Sequence, residues 1–389
     1  MSWASSWSRS SCTTMSPVSY SGEHGVAWVL RQLEADYPRT TTDEHGDLLG
    51  VARPSEAVTI EPAARSSCPP AFADLATARD TFEGFAQRLS DVLEPAGEKA
   101  LAIGYHPSAT ARSLELIPKR RYQFMDLYLG ERDIYGPCMM RGSASTQVSI
   151  DYTSTADCLR KLRLAFALVP MLSLMCDNAP VFEGKPREHQ LVRTDIWQHV
   201  DNDRCGLVPD VLDPSFDLRR YAEYILDTVA ILIPCQQQRW CYSDRTFGDI
   251  YAARTMTRAE VEHAVSMFFT DVRLKTYIEI RPADAMPIPY VIAYAALIKG
   301  LFYAPTSLDA MDGLFADVRR DDYLAAQDAL MERGYEARCA DARRRAVRPH
   351  VKIARDGPAD EEQGFLEPLA DLVARRVTLA DLAERSERA

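Results

Sequence analysis

The chain has 389 residues, of which 47% are hydrophobic and 26% charged, and its formal net charge at pH 7 is −11. This composition is typical of a soluble globular protein of one large or two ordinary domains. The acidic balance argues against a general nucleic-acid binder, which needs a basic face. The chain contains no run of 18 or more apolar residues, so we expect no transmembrane helix.

The cysteines and glycines exclude several common kinds of site. Nine cysteines are scattered without a CxxC pair, and the seven histidines include no HExxH. This pattern predicts free thiols in a reducing cytoplasm and no zinc site. The chain also lacks GxGxxG and GxxxxGK[ST], which removes the usual nucleotide-binding loops. The serine-rich start lacks an apolar stretch, so we expect no signal peptide.

In chain order, the sequence predicts an irregular leader over residues 1–19 and then a mixture of helices and strands. Asn178–Trp197 is predicted to be irregular, and the basic run Ala342–Arg348 to be a solvated helix face. Strands are predicted over Leu48–Val51, Val58–Ile60 and Ala100–Tyr105. Helices are predicted over Glu23–Tyr37, Phe72–Leu93, Pro118–Leu129, Ala156–Cys176, Ser215–Ile233, Thr257–Phe269 and Pro287–Tyr303, with further helices to Leu382.

One stretch, Asp271–Asp284, alternates strictly between polar and apolar residues, which predicts a β-strand with one face in the core. Its polar face carries three cations, a phenol and a carboxylate: Arg273, Lys275, Tyr277, Glu279 and Arg281. Arginine and lysine hold phosphate oxygens, and a carboxylate can hold Mg²⁺. From these residues alone, the solvated outer face of an edge strand is the slightly favoured interpretation, because charged faces are usually exposed to water.

A second alternating strand is predicted over Met139–Tyr152, with Ser143, Ser145, Gln147, Ser149 and Asp151 on one face. Small hydroxyl groups beside a glutamine leave room for a ligand and supply hydrogen bonds, although a solvated serine ladder has the same pattern.

A cationic segment, Pro118–Tyr122, opens the third predicted helix, because proline fits the first helical turn. Its cations could meet an anionic ligand or form ordinary surface charge.

Together, these motifs resemble the plant-type and actinobacterial glutamate–cysteine ligases, in the glutamine-synthetase-like superfamily. The resemblance covers most of the chain from about residue 15. The matching pieces are IEP at Ile60–Pro62, PKRRY at Pro118–Tyr122, MMRGSASTQVSIDY at Met139–Tyr152, FEGKP at Phe182–Pro186, LVRTDIW at Leu191–Trp197, DNDRCG at Asp201–Gly206 and VRLKTYIEIRPAD at Val272–Asp284.

The resemblance implies an α+β fold in which a curved antiparallel sheet forms a funnel with helices packed outside, as a single catalytic domain over residues 20–389. It implies an ATP-dependent ligase that uses Mg²⁺ and forms γ-glutamylcysteine from L-glutamate and L-cysteine through γ-glutamyl phosphate, the first step of glutathione-type thiol synthesis. Positioning and charge neutralisation carry most of such a phosphoryl transfer.

The resemblance also implies roles for substrate-binding residues. Arg121 would face an anionic substrate or phosphate, and Arg193 would hold the glutamate carboxylate, a bidentate task that lysine performs poorly. Ser145, Gln147 and Trp197 would line the glutamate pocket.

A second group of residues would serve the nucleotide and the metal. Glu279, with Glu61, would hold Mg²⁺, and Glu279 and Arg281 would be the catalytic pair. Arg281, Arg273 and Lys275 would meet the phosphates of ATP.

The chain departs from the family pattern at two places. Family members begin with a strand carrying two carboxylates, roughly GxExE, and carry another acid after the EPGGQ-type turn, whereas residues 1–22 and 63–73 here contain no Asp or Glu. We interpret both stretches, 1–14 and 65–71, as read in a shifted frame. Codons can be chosen for MSWASSWSRSSCTT such that the same bases, read two bases later, encode ELGIELESFVVHND. For AARSSCPPA, restoring one base in suitable codons can give AAQVELSAGP. Resequencing of the gene tests this hypothesis.

Three functions therefore compete: the cysteine ligase, a ligase for another amine, and a non-catalytic relative that binds a ligand or partner. If the chain is made as given, we expect weak Mg²⁺ binding and little ligase activity. The sequence leaves the oligomeric state open. The ligase hypothesis requires the two polar strand faces to meet at one cavity, with Arg193 beside them.

Overall fold

The structure is a computed structural model that describes residues 3–10, 15–43, 45–54, 56–62, 65–68, 74–235, 240–337, 347–355 and 360–387. Helices and strands are interspersed along these ranges, so the predicted α+β class is confirmed.

The strands are short, and most lie in the first half of the chain or near the predicted site. They are Trp3–Ser10 (β1), Met15–Pro17 (β2), Arg39–Thr42 (β3), Leu48–Arg53 (β4), Glu56–Ile60 (β5), Arg65–Cys68 (β6), Glu98–Leu101 (β7), Val148–Ile150 (β8), Val181–Phe182 (β9), Lys185–Pro186 (β10), Cys205–Gly206 (β11), Val229–Pro234 (β12), Trp240–Thr246 (β13), Phe269–Thr270 (β14), Val272–Leu274 (β15) and Ile278–Ile280 (β16).

The α-helices dominate the second half. They are Val26–Leu33 (α1), Leu75–Leu93 (α2), Arg120–Arg132 (α3), Thr155–Met175 (α4), Val192–Gln198 (α5), Leu218–Leu226 (α6), Phe247–Tyr251 (α7), Arg258–Ser266 (α8), Ile288–Phe302 (α9), Pro305–Phe315 (α10), Arg320–Arg333 (α11), Val347–Arg355 (α12), Glu367–Arg375 (α13) and Leu379–Glu387 (α14). Single 3₁₀ turns lie at Glu94–Ala96, Ala111–Ser113 and Gly334–Glu336, and a longer one at Asp360–Leu366.

Hydrogen bonds connect the described strands into separate sheets rather than one continuous sheet. Seven strands form a sheet in the order β2-β1-β6-β5-β4-β3, with β7 paired to β1, and a second sheet has the order β15-β16-β8. The pairs β9-β10 and β12-β13 are antiparallel, and β11-β14 is parallel. The glutamine-synthetase-like funnel therefore stays a prediction.

The irregular leader is a wrong prediction for the described part of residues 1–19. β1 lies inside the large sheet, where it pairs with β6 on one edge and β7 on the other, and β2 pairs back onto β1. A serine-rich segment has no apolar alternation to mark it as a strand. Its neighbours nevertheless supply backbone partners, because strand formation depends strongly on tertiary context.

Most predicted helices are confirmed, and their ends show why they form. Asp74 caps α2 by accepting from the backbone N–H of Thr77 at 2.7 Å, and Thr257 and Glu260 form a capping box at α8. The helix predicted over Ser215–Ile233 is wrong beyond α6, because the β-branched run that follows forms β12. The segment Asn178–Trp197 also contains β9, β10 and α5, so it is not irregular throughout.

One large hydrophobic core joins the helical half to the sheets, with buried residues from Val18 to Val377. α4 and α9 lie within it, and eleven of the fifteen residues of α9 are buried. Among the described helices, none is long and apolar enough by itself to cross a membrane, and only α9 and α10 together, bent by 84°, reach that length and composition. The basic run Ala342–Arg348 lies, up to residue 346, outside the described residues.

A disulfide joins Cys235 to Cys241 across the β12–β13 hairpin, with 5.9 Å between the Cα atoms. The prediction that all cysteines are free thiols is therefore wrong for this pair. The hairpin brings the two cysteines close together, because Cys241 pairs with Ile233 and Cys235 directly follows β12. Four other described cysteines, Cys138, Cys158, Cys176 and Cys205, are free and buried.

Candidate active site

The alternating stretch Asp271–Asp284 is a β-hairpin rather than the single strand that the sequence predicts. β15 and β16 pair antiparallel with Arg273 opposite Glu279, and the intervening turn is closed by a 2.8 Å hydrogen bond from the Lys275 amide to the Tyr277 carbonyl. The turn reverses the chain direction but keeps the polar residues of both strands on the same face, because Arg273 lies opposite Glu279. The predicted cationic face is therefore kept, folded back on itself.

The second predicted strand, Met139–Tyr152, is also shorter than expected. It begins with a π-helical turn at Cys138–Gly142 and continues through isolated bridges at Ser143 and Ser145, so that regular pairing is confined to β8. The helical turn forms where Gly142 packs against the Tyr105 ring, which leaves no room for a larger residue. The predicted polar face nevertheless survives at Ser145 and Gln147, which line a cavity.

The two polar faces meet, as the sequence analysis requires. β8 pairs with β16, and Arg281 Nη1 donates to Gln147 Oε1 at 3.1 Å. They border a cavity of about 290 Å³. Its wall includes eight of the predicted site residues: Glu61, Arg121, Ser145, Gln147, Arg193, Trp197, Arg273 and Arg281. Lys275 and Glu279 are the two predicted site residues outside this lining.

Glu279 lies in a cluster of three cations. Its Oε2 accepts from Arg273 Nε at 2.8 Å and Arg281 Nη1 at 2.7 Å, and its Oε1 accepts from Lys275 Nζ at 3.4 Å. The side chain is 10% exposed. Burial alone would raise its pKa, but the charges of Arg281, Arg273 and Lys275 outweigh burial and hold the pKa at about 2.

This cluster does not fit the predicted magnesium site. Both oxygens of Glu279 are committed to cations, and a metal ion would have to displace them. Glu61 lines the cavity, but no three acidic, histidine or cysteine side chains of the described residues come together as a metal site. The side chains of β1 and β6 are outside the described set, and their sequences contain no acid. We therefore assign no residue to Mg²⁺.

The guanidinium group of Arg193, near the start of α5, is hydrogen-bonded through one nitrogen and has two nitrogens without partners among the described residues. Its Nη1 donates to the carbonyls of Pro282 and Ala283, each at 3.1 Å, and to Asp284 Oδ1 at 3.2 Å. Its Nε is buried without a partner, and Nη2 has no hydrogen bond in the described part of the chain. Because Nε and Nη2 form one edge of the guanidinium group, the residue offers a two-donor edge to an anion.

The carboxylate that anchors Arg193 is itself buried and strongly held. Asp284 Oδ2 accepts from the backbone N–H of Asn178 at 2.7 Å. Burial raises the pKa of Asp284 to about 7, although Arg193 opposes the shift. The contact between Arg193 and Asp284 spans 91 positions of sequence.

Arg121 stands between two cavities. Its Nη2 donates to the carbonyl oxygen of Ser266 at 3.2 Å and to the Ser266 hydroxyl at 3.0 Å, and its Nε is buried without a partner in the described structure. Besides the main cavity it lines a neighbouring one of about 590 Å³, together with Lys119, Arg120, Phe124 and Trp240.

Several residues of this site have no predicted role. Ser266 and Phe269 end the predicted helix at Thr257–Phe269, and Asp271 begins the alternating stretch without a predicted role. A polar residue directly before a strand that carries site residues is the one signal that could have identified Asp271. The four cavity arginines, Arg121, Arg193, Arg273 and Arg281, make the site suited to anionic ligands.

Known proteins are similar in sequence to this chain along most of its length. The glutamate–cysteine ligase, chloroplastic, of Medicago truncatula is 28% identical over 352 residues, which is 87% of this chain and 69% of the relative. Its counterpart from Arabidopsis thaliana is 28% identical over 382 residues, 95% of this chain and 72% of the relative, and that from Nicotiana tabacum is 26% identical with the same coverage. These chloroplastic relatives contradict the predicted cytoplasmic location.

A family model described as glutamate–cysteine ligase family 2 matches residues 10–385, from within β1 to within α14. This match includes every strand and helix that borders the cavity. The chain belongs to glutamate–cysteine ligase family 2.

Proposed function

We propose that the protein is an ATP-dependent ligase that joins the side-chain carboxylate of L-glutamate to the amine of L-cysteine. In this reaction the carboxylate attacks the γ-phosphate of ATP and ADP leaves. The amine then attacks the acyl phosphate, phosphate leaves, and the amine loses a proton. The observation that carries the proposal is the cavity where four arginines converge beside Ser145 and Gln147. The named relatives support cysteine as the acceptor.

Arg193 would bind the α-carboxylate of glutamate. Its Nη1 is held by Asp284 and two backbone carbonyls, so the Nε–Nη2 edge is preorganised for a bidentate contact. Preorganisation matters because a donor that is already fixed costs little entropy when the ligand binds.

Arg121, Arg273 and Arg281 would neutralise the phosphoryl group during transfer. They approach the main cavity from α3, β15 and the residue that follows β16. Cations that are already fixed in place stabilise developing negative charge without having to reorient during the reaction. The neighbouring cavity beyond Arg121 has room for the nucleoside and offers Phe124 and Trp240 for contact with the base.

Glu279 would act as a positioning residue rather than as a catalytic acid or metal ligand. Its ion pairs fix Arg273 and Arg281 toward the cavity, and Lys275 completes the cluster from the turn. The proposal keeps ATP as the phosphate donor and names no donor set for Mg²⁺.

A second candidate, a glutamate-binding relative without turnover, is favoured by one specific observation. The sequences of β1 and β6, where the family pattern has acids, contain none, and no described carboxylate cluster replaces them. Acceptors other than cysteine stay open, because no described residue selects for a thiol.

The experiment measures ADP and phosphate release from ATP with L-glutamate and a panel of amines that includes L-cysteine. It compares this chain with one that carries the corrected-frame sequences, ELGIELESFVVHND in place of residues 1–14 and AAQVELSAGP in place of residues 63–71. Release that requires both glutamate and cysteine supports the ligase. Calorimetric binding of L-glutamate without release in this chain supports the second candidate. The absence of both binding and release in both chains refutes the proposal.

A further inference from the structure

A small recess adjoins the main cavity and shares with it Arg193, Trp197, Phe269 and Arg281. Its volume is about 10 Å³, close to the space that one water-sized group needs. An ammonium group has this size. The remaining wall is formed by Ser173, Thr194, Thr270, Asp271 and Pro282.

Asp271 is the carboxylate of this recess, and one side of it is already held. Its Oδ2 accepts a hydrogen bond from the Tyr323 hydroxyl, which in turn accepts from Gln327 Nε2 at 3.1 Å. The backbone carbonyl of Asp271 accepts from the Arg281 amide at 3.0 Å. No hydrogen bond to Oδ1 comes from the residues that the structure describes, which leaves this oxygen for a ligand.

The nearby cations have other counterions. Arg193 is paired with Asp284, and Arg281 with Glu279. Asp271 has no ion pair within the described ranges. Burial raises its pKa, whereas the hydrogen bond from Tyr323 and the charges of Arg193 and Arg281 lower it. A partly buried carboxylate without a direct ion pair is costly, and an incoming cation would reduce that cost.

We propose that Asp271 binds the α-ammonium group of the amino acid whose α-carboxylate is held by Arg193. This assignment rests on the proposed function and deepens it, because it gives the site a means of selecting an α-amino acid over a plain dicarboxylate. In an α-amino acid, the carboxylate and the ammonium group are attached to the same carbon. Its recognition therefore requires a cationic donor and an anionic acceptor in the same small recess. Arg193 and Asp271 meet this requirement.

The test compares two ligands that differ only in the amino group, L-glutamate and glutarate, by calorimetric titration of the full chain and its Asp271→Asn variant. Hydrogen bonds to charged groups predict that the wild-type protein prefers L-glutamate by at least tenfold. In Asp271→Asn we expect this preference to fall below threefold while the affinity for glutarate stays within threefold of the wild-type value. Asp309→Asn, an exposed site on α10, is the matched control and should keep the full preference.

The possible outcomes distinguish the role of Asp271 from the existence of the proposed glutamate site. An undiminished preference for L-glutamate in a folded Asp271→Asn variant would overturn the assignment alone. If that variant does not fold, the wild-type titrations decide, and equal affinity for the two ligands would overturn it. A wild-type protein that binds neither ligand would refute the proposed glutamate site, and the role of Asp271 with it.

Discussion

Replacing Glu279 by glutamine tests whether this residue holds the cation cluster together. The cluster lowers the pKa of Glu279 from its ordinary value of 4.5 to about 2. A difference of that size corresponds to about 3 kcal/mol of stabilisation at pH 7. Because the side chain is only 10% exposed, solvent screening removes little of this stabilisation. We expect Glu279→Gln to lower the free energy of unfolding by about that amount.

The same ion pairs also predict how the stability difference between wild type and Glu279→Gln changes with pH. A carboxyl group whose pKa is lowered by folding contributes stability that is present above its unfolded value and lost as the pH falls toward the folded value. The difference between wild type and Glu279→Gln should therefore be constant from pH 7 to about pH 5.5. It should shrink to about 2 kcal/mol at pH 3.5.

Urea unfolding followed by circular dichroism at pH 7, 5.5 and 3.5 measures these differences. Glu223→Gln is the matched control, because Glu223 forms an exposed ion pair with Arg219 on α6 and should have no measurable effect. A loss below about 1 kcal/mol at pH 7 would refute the reasoning, as would a difference that grows when the pH is lowered.

Three further predictions concern the anchor of the glutamate site, the C-terminal helix and helix packing. Arg193→Lys should weaken L-glutamate binding by about 10- to 100-fold in calorimetry, because one ammonium group cannot both keep the anchor and offer two donors; unchanged affinity would contradict this. Arg187→Met should cost about 3–5 kcal/mol in urea unfolding, because Arg187 pairs with the buried Asp177 and ties α14 to the core; a loss under 1 kcal/mol would count against it. Gly300→Ala should cost about 1–3 kcal/mol, since its Cβ would lie 2.3 Å from a carbonyl of α12, whereas Gly313→Ala meets nothing within 4 Å and should gain about 0.5–1 kcal/mol; thermal melts that reverse this order would refute the packing argument.

The polar faces at the cavity were predictable because side-chain alternation survives a turn that preserves its parity. Arg273 and Glu279 share a face whether the chain runs straight or folds back between them. The turn itself was not predictable, because Lys275–Tyr277 contains none of the glycine, proline or asparagine that usually marks a hairpin. The sequence therefore indicates which side chains face the ligand but not how many strands carry them.

Contacts between distant segments determine the surroundings of the charged side chains at the site, and the sequence alone does not give these contacts. The sequence places Glu279 next to cations and equally allows a metal site, and the structure commits its two oxygens to three neighbours. Likewise nothing local links Arg193 to Asp284, or Asp271 to Tyr323 on α11. Such pairings depend on how helices pack against the hairpin, which periodicity does not determine.

In the proposed function, glutamate binding and ATP turnover would depend on different parts of this structure. The proposed glutamate contacts come from α5 and the residues around the β15–β16 hairpin, which are described completely and match the family motifs. The acids that the family pattern places in the first strand and after Glu61 are absent from β1 and β6. Four arginines can attract a phosphate chain, whereas a metal ion, if bound, would supply a compact divalent charge that guanidinium groups do not provide. A chain of this sequence should therefore keep its affinity for glutamate even where restoring the two segments is needed for turnover. Absence of L-glutamate binding by this chain would contradict that separation and, with it, the proposed glutamate site.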